Sequence, residues 1–259
     1  MNRDQLLDKF DREIEKSGIR IKDADQLKVL DNVFDEVTLL ALYKLVHKKK
    51  LSEIGGSIST GKEANVFYAM DENRPVALKI YRIQSANFNT MNQYLAGDPR
   101  FSSVRGSRKE IIFAWTRKEY ANLKRAYEAG LPVPEALHFD RNILIMDFAG
   151  EGERAYPQIR LVGLEEPEHT YQEILTFIDR LFNEASLVHG DLSEYNILWD
   201  GEHPVVIDMG QSVTPDHPRA GAFLMRDIKN INRYFGKYTK VEDEVALFRR
   251  IVGEKRLVP

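Results

Sequence analysis

The run Leu187 to Leu198, LVHGDLSEYNIL, carries the pattern H-x-D-x-x-x-x-N, which pairs an acid with an amide across a short loop. That pairing suits phosphoryl transfer. Asp191 is placed to accept or orient the proton of an attacking hydroxyl or water, and Asn196 offers a neutral oxygen to a magnesium ion. An isolated Asp and Asn often do no more than form a turn. Here a helical stretch before them and an apolar hairpin after them put both at a loop mouth. His189 reads as a hydrogen-bonded structural residue rather than as the base. Further on, Asp208 ends the apolar run Val205 to Ile207 and is followed by Met209 and Gly210. A carboxylate there would bind a metal bridging the β- and γ-phosphates of a nucleotide.

Two upstream features would complete such a site. Val76, Ala77, Leu78, Lys79 places an ammonium on an expected strand, where it can neutralise the α- and β-phosphates; the plain alternative is a strand lysine whose head snorkels to water. On the helical stretch Ser107 to Ala129, Glu119 falls on the apolar stripe of Ile112, Trp115, Leu123 and Ala126, and a carboxylate buried there requires a partner. Lys79 is its natural counter-ion, with Glu110, Glu128 or simple exposure as the other readings. Gly56 to Lys62, GSISTGK, has the spacing of a Walker A loop, but Glu63 stands where that loop needs a hydroxyl, and AlaAsnValPheTyrAla after it reads as strand. Aligned instead to G-x-G-x-x-G-x-V, the positions are Ser59, Gly61, Ala64 and Val66, small enough for a hairpin backbone to approach phosphates.

The elements that must hold these residues can be read from periodicity. Leu27, Leu30, Val33, Phe34, Val37 and Leu40 recur at helical spacing within Ala24 to Val46, so a helical segment is expected first. Short apolar runs come after Gly55, namely Ala64 to Tyr68, Val76 to Tyr81, Ala136 to Phe139 and Ile143 to Met146, and predict a mostly antiparallel sheet. After about Gly150 the pattern is mainly helical, with Tyr171 to Ala185 a clear stripe and one hairpin of Ile197 to Trp199 and Val205 to Ile207 around Asp200 and Gly201. Gln84 to Gly106 is rich in Asn, Ser, Gly and Arg and reads as a long mobile loop, either a plain insertion or a functional one. The expected division is 1–54, a helical extension; 55–149, a sheet lobe with the flexible loop at about 84–106; and 150–259, a helical lobe.

Composition limits the alternatives. A chain of 259 residues is long enough for a sizeable core, and a net charge of -3 argues against bulk electrostatic binding to nucleic acid or membrane. With no cysteine there is no disulfide framework, thiolate metal site or cysteine nucleophile. No apolar run approaches the ~18 residues of a spanning helix. A soluble, cytoplasmic protein with no membrane and no DNA partner is expected.

SerThrGlyLysGluAlaAsnValPhe, HisGlyAspLeuSerGluTyrAsnIleLeu and IleAspMetGlyGln together resemble the RIO family of atypical serine/threonine protein kinases, most closely its Rio-one branch, over roughly Gly55 to the C-terminus. The resemblance implies an α+β, small bilobal protein-kinase-like fold, with an antiparallel-sheet N-lobe and a reduced helical C-lobe lacking the usual peptide-docking elements. It also implies ATP with Mg²⁺ or Mn²⁺, serine autophosphorylation, and a role with the small ribosomal subunit precursor, both protein and rRNA. Carried over by position, it places the nucleotide-facing lysine on Lys79, its helix glutamate on Glu119, the back of the pocket on Met146, and the adenine-reading hinge on Asp147, Phe148 and Ala149. The catalytic aspartate would be Asp191 and the metal ligands Asn196 and Asp208, with Asp208 also a candidate acceptor of a transient aspartyl-phosphate that would make the protein an ATPase as well.

Departures from ordinary kinases matter physically. Ser193 stands where those enzymes carry a lysine near the transferred phosphate, so metals or other groups must offset the transition-state charge. With little chain after Asp208 and no A-P-E, phosphorylation of free peptides should be poor, and the nearby acceptors are Ser85, Ser102, Ser103 and Ser107. Two other readings compete: a small-molecule phosphotransferase of the aminoglycoside or choline kinase kind, and a nucleotide-sensing assembly factor with little transferase activity. The basic clusters Lys48 to Lys50, Arg249 to Arg250 and Lys255 to Arg256 would be the RNA contacts of the latter.

Overall fold

The computed structural model describes residues 20–21, 36–72, 74–83, 88–101 and 107–253. The short apolar runs are strands. In chain order the elements are β1 (Arg20–Ile21), α1 (Glu36–His47), β2 (Glu53–Thr60), β3 (Ala64–Asp71), β4 (Arg74–Tyr81), α2 (Phe88–Leu95), α3 (Arg108–Glu128), β5 (Ala136–Asp140) and β6 (Ile143–Asp147). A ribbon of β7 (Gly150–Glu151) and β8 (Arg154–Ala155) leads to α4 (Pro167–Asn183), the hairpin β9 (Ile197–Trp199) and β10 (Pro204–Val206), α5 (Ala220–Phe235) and α6 (Glu244–Val252).

The main sheet has the order β1-β2-β3-β4-β6-β5, antiparallel throughout except for the β1–β2 pair. Strand β4 is central, and its apolar residues are buried on both faces. The two-residue period of a strand sorts them. Val76, Leu78 and Ile80 pack outward with Phe67, Ile143 and Ile145 against Ala41, Leu42 and Leu45 of α1. Ala77 and Tyr81 face inward, toward α3 and the second lobe, so Lys79 between them points the same way. The hairpin β2–β3 turns at Gly61, whose N–H donates to the Ala64 carbonyl at 2.9 Å, and the chain leaves that turn as strand rather than helix.

Helix α3 is started by a capping box: Ser107 accepts from the Glu110 N–H, and the Glu110 carboxylate accepts from the Ser107 N–H. It ends before Gly130, which sits at φ +68°. The second lobe is built on α4, α5 and α6, whose apolar faces meet through Tyr171, Ile178, Phe182, Phe223, Ile231, Phe235, Phe248 and Ile251. Among the described residues no helix is long and apolar enough to cross a membrane.

One expectation is corrected. Part of the segment read as a single mobile loop, 84–106, is the helix α2 followed by a 3₁₀ turn at Pro99–Phe101, with Met91, Tyr94, Leu95 and Phe101 buried. Four buried anchors dock a segment rich in polar residues: Tyr94 stacks on Phe223 at 4.8 Å, and the buried Asp98 binds Arg100 at 2.7 Å. Ser85, Ser102 and Ser103 lie outside the described residues, as does the part of the expected N-terminal helix before residue 36.

Candidate active site

A cleft of about 550 Å³ lies between the lobes, lined by Ser59, Gly61, Lys79, Met146, Asp147, Phe148, Ala149, Asn196 and Asp208 among others. Its apolar end is made by Val66, Ala77, Met146 and Leu198, a slot of suitable chemistry for a flat ring. Its polar end gathers the ionisable groups.

Lys79 is the centre of that end. Its Nζ lies 2.7 Å from Glu119 Oε1 and 3.0 Å from Asp208 Oδ1, so one ammonium ties strand β4 to helix α3 and to the residue ending the β10 run. Glu119 is fully buried, and its second oxygen accepts a short hydrogen bond from the Tyr81 hydroxyl. Burial opposes the Lys79 charge, but Asp208 and Glu119 override it and hold the ammonium well above its usual range. Burial raises the Glu119 carboxyl despite Lys79 beside it. For Asp208 the balance runs the other way: burial works against ionisation, and Lys79 holds the carboxylate below its ordinary value. Its side chain is 49% exposed, which leaves it open to the cleft.

Asp208 adopts a left-handed backbone, φ +64° and ψ 63°, an uncommon choice for a residue with a side chain. Asp191 stands on the loop before β9. Gln211 Nε2 donates to its Oδ2 at 2.9 Å, and Asn196 Nδ2 donates to its backbone carbonyl at 2.9 Å. Burial, and next the negative charge of Asp208, raise its pKa. His189 accepts from the Asp191 N–H at Nδ1 and donates from Nε2 to the Ile207 carbonyl at 3.2 Å. Acceptance at Nδ1 requires a neutral ring, and burial holds its pKa down at about 4. It is a brace rather than a base.

Several neighbours escaped the sequence reading. Asp227 on α5 is buried and accepts from the N–H groups of Gly190 at 2.7 Å and Leu192 at 2.9 Å, fixing the backbone on both sides of Asp191. Burial pushes its pKa up to about 7. Arg226 adds a short bond to the Gly190 carbonyl. Glu63, at the hairpin turn, also lines the cleft, and its pKa is raised first by burial and then by Asp208. On α3, Lys118 and Asn122 reach the backbone just after Asp208. Burial lowers the Lys118 ammonium to about 7.

Among the described residues no group of three or more His, Cys, Asp or Glu side chains would hold a metal by itself. One carboxylate, Asp208, and one amide oxygen, Asn196, fit a hard cation that keeps waters and takes its remaining ligands from phosphate. Asn196 spends its Nδ2 on the Asp191 carbonyl, so its Oδ1 is the atom such a cation would use.

Residues 65–247 match the family model described as the RIO domain. The chain is 43% identical over 254 residues to the RIO-type serine/threonine-protein kinase Rio1 of Haloferax volcanii, spanning 97% of this chain and 87% of that protein. Identity to the Rio1 of Methanocaldococcus jannaschii is 39% over 250 residues, 95% of this chain and 85% of that one. Among solved structures, the Rio2 kinase–ADP/Mg²⁺–phosphoaspartate complex from Chaetomium thermophilum superposes with a TM-score of 0.64 at 27% identity, covering 85% of this chain and 67% of that chain. A phosphotransferase with a protein-kinase-like fold, the chain belongs to the RIO family as a Rio1-type serine/threonine-protein kinase.

Proposed function

We propose that the protein binds ATP with Mg²⁺ or Mn²⁺ in this cleft, transfers the γ-phosphoryl group to its own serines and to water, and acts in maturation of the small ribosomal subunit. The observation that carries the reading is the convergence on Lys79 of the Glu119 and Asp208 carboxylates, at 2.7 Å and 3.0 Å. In this reading 55–149 is the nucleotide lobe, 150–259 the acceptor lobe and 1–54 a helical extension.

Lys79 neutralises the α- and β-phosphates while Glu119 keeps it extended. The hinge from Asp147 to Ala149 reads the adenine, with Met146 behind it and the hairpin backbone at Ser59 and Gly61 above the phosphates. Asp208 and Asn196 would hold the metal, which would supply positive charge to offset that of the β- and γ-phosphates. Asp191 takes the proton of the attacking hydroxyl, its carboxylate oriented by the Gln211 amide at Oδ2. Asp208 is also an acceptor in its own right: its carboxylate oxygen bonds to the γ-phosphorus as the β,γ-bridging P–O bond breaks, ADP leaves, and water then hydrolyses the acyl phosphate. The phosphoaspartate named in the Chaetomium thermophilum Rio2 complex supports that step.

Peptide phosphorylation is secondary. Only eight residues, 212–219, separate the Met209–Gln211 turn from α5 at Ala220; Val213 among them is bridged to Val188 and the rest are mostly turns, which leaves no strand on which a peptide would lie. Charge supports an RNA-bearing partner. Lys229 and Arg233 on the exposed face of α5 stand four residues apart, a rise of ~6 Å, and Lys237 follows just beyond the end of the helix. The Arg249–Arg250 cluster is weaker, because Arg250 is paired with Glu242 at 2.6 Å. Measuring ATP turnover with and without isolated small-subunit precursors tests the reading. Stimulation by precursor is expected; indifference to precursor together with rapid labelling of free peptides would contradict it.

A further inference from the structure

Lys118 is fully buried on the side of α3 that faces the second lobe, yet its hydrogen bonds go to backbone, not to a carboxylate. Its Nζ donates to the Gly210 carbonyl at 2.9 Å and, by a short bond, to the Ser212 carbonyl. One helical turn later, Asn122 Nδ2 donates to the carbonyls of Met209 at 2.8 Å and Ser212 at 2.9 Å. These four bonds take hold of the turn immediately after Asp208. Asn122 is itself oriented from behind. Its Oδ1 accepts from Arg100 at 2.8 Å, so its amide nitrogen faces the turn, and Arg100 is gripped by the buried Asp98 at 2.7 Å.

We propose that Lys118 and Asn122 are positioning residues for Asp208: by clamping the 209–212 turn to α3 they set the metal-binding carboxylate, and Arg100 acts through Asn122. The inference rests on Asp208 being a metal ligand. Its physical core is the left-handed backbone of Asp208, φ +64°, which a non-glycine residue keeps only when its surroundings impose it. On one side Ile207 donates to the Asn196 carbonyl at 2.9 Å; on the other side the short turn and its clamp hold the chain. Space is tight as well, since a β-carbon on Gly210 would meet the Trp115 indole at 2.9 Å. The same helix carries Glu119, the partner of Lys79, so a single rigid element places both the phosphate-facing cation and the metal-facing anion. The segment Asp98–Arg100, well outside the cleft lining, becomes part of the apparatus that sets metal affinity.

The test measures the affinity of the full chain for a fluorescent ADP analogue, with magnesium and with EDTA, in the unaltered protein and in Lys118→Met and Arg100→Ala. Disturbed support of a metal ligand typically costs 10–100-fold in metal affinity, so Lys118→Met should lose about tenfold or more of the magnesium-dependent gain while its EDTA affinity stays within about twofold. Arg100→Ala should move in the same direction by less. Because Arg100 is partly exposed and outside the cleft, it carries the test even if Lys118→Met does not fold. A magnesium gain that survives both substitutions overturns the inference, as does an equal fall in the two affinities, which marks a generally loosened pocket. Absence of any magnesium gain in the unaltered protein is a different result: it removes the metal reading of Asp208, and this inference with it.

Discussion

Replacing Glu119 by Gln removes one charge from the Lys79 cluster at nearly constant shape. Breaking a buried ion pair usually costs about 3–5 kcal/mol, because the survivor is left uncompensated. Lys79 would not be left so, since Asp208 Oδ1 already lies 3.0 Å away. The amide also keeps one oxygen for Lys79, although its NH₂ group displaces the acceptor used by Tyr81. The expected loss therefore falls below that range, about 2–3 kcal/mol, or a fall of roughly 5–10 °C in melting temperature for a chain of this size. The second consequence is chemical. With Glu119 neutral, Lys79 draws more fully on Asp208 and competes with the metal for it, so the magnesium concentration at half-maximal turnover should rise about tenfold. Thermal melting by circular dichroism and ATP turnover across a magnesium titration read both effects. An unchanged magnesium midpoint would show that Lys79 and the metal do not compete for Asp208, and a stability loss above about 5 kcal/mol would show that Asp208 does not serve as the second partner. Adding Lys79→Met should make turnover little worse than the poorer single variant, since either change already breaks the unit.

Asp191→Asn and Asp208→Asn should both abolish phosphoryl transfer to serine with the fold intact, but calorimetric titration should find magnesium-dependent ATP affinity lost only in Asp208→Asn. Asp227→Asn leaves one acceptor for two N–H groups and turns an NH₂ toward one of them, so kcat should fall about 10–100-fold with KM for ATP unchanged. His189 is depressed from 6.5 to about 4 by burial, so the unfolded chain takes its proton first as pH falls. Its contribution, about 3 kcal/mol, is present above pH 6.5 and lost toward pH 4. Asp227, raised from 3.8 to about 7 by burial, binds a proton in the folded state first and adds stability over the same descent. Denaturant titrations should therefore show His189→Gln losing less stability than the unaltered protein between neutral and acid pH; an identical acid loss would count against the neutral brace.

Much of the cleft was legible because its chemistry needs fixed spacings at loop mouths. Asp191, Asn196 and Asp208 stand on such loops and Lys79 inside strand β4, and the strands and helices that bear them follow from periods of two and 3.6. Glu119 was legible for another reason, as a carboxylate on an apolar stripe. The same signal is present at Asp227, between Leu224 and Ile228 on the buried face of α5, and it went unread although the physics is the same. Lys118 gave no such signal, because a lysine beside an apolar face is ordinarily expected to snorkel, and its target is a backbone carbonyl far along the chain. Composition misled at 84–106. Polar residues dominate that segment, but docking depends on Met91, Tyr94, Leu95 and Phe101, and on an Asp98–Arg100 pair whose purpose only the fold reveals.

The proposed function requires this cleft to spend ATP on its own serines and on water rather than on free peptides. Acceptor positioning can contribute about 7–11 kcal/mol of barrier reduction, and a free peptide finds no platform here, whereas a tethered serine and the Asp208 carboxylate need none. The direct measurement incubates the protein with labelled ATP and a generic substrate such as myelin basic protein, following released phosphate and mapping labelled residues by mass spectrometry in the same reaction. Phosphate release should exceed peptide labelling, with protein-bound label on Asp208 and on serines of the 84–107 segment, and Asp191→Asn should abolish the serine label while the Asp208 carboxylate, which has no proton to give up, still takes it. Dominant peptide labelling with those serines unmodified would contradict the proposal and identify a conventional protein kinase.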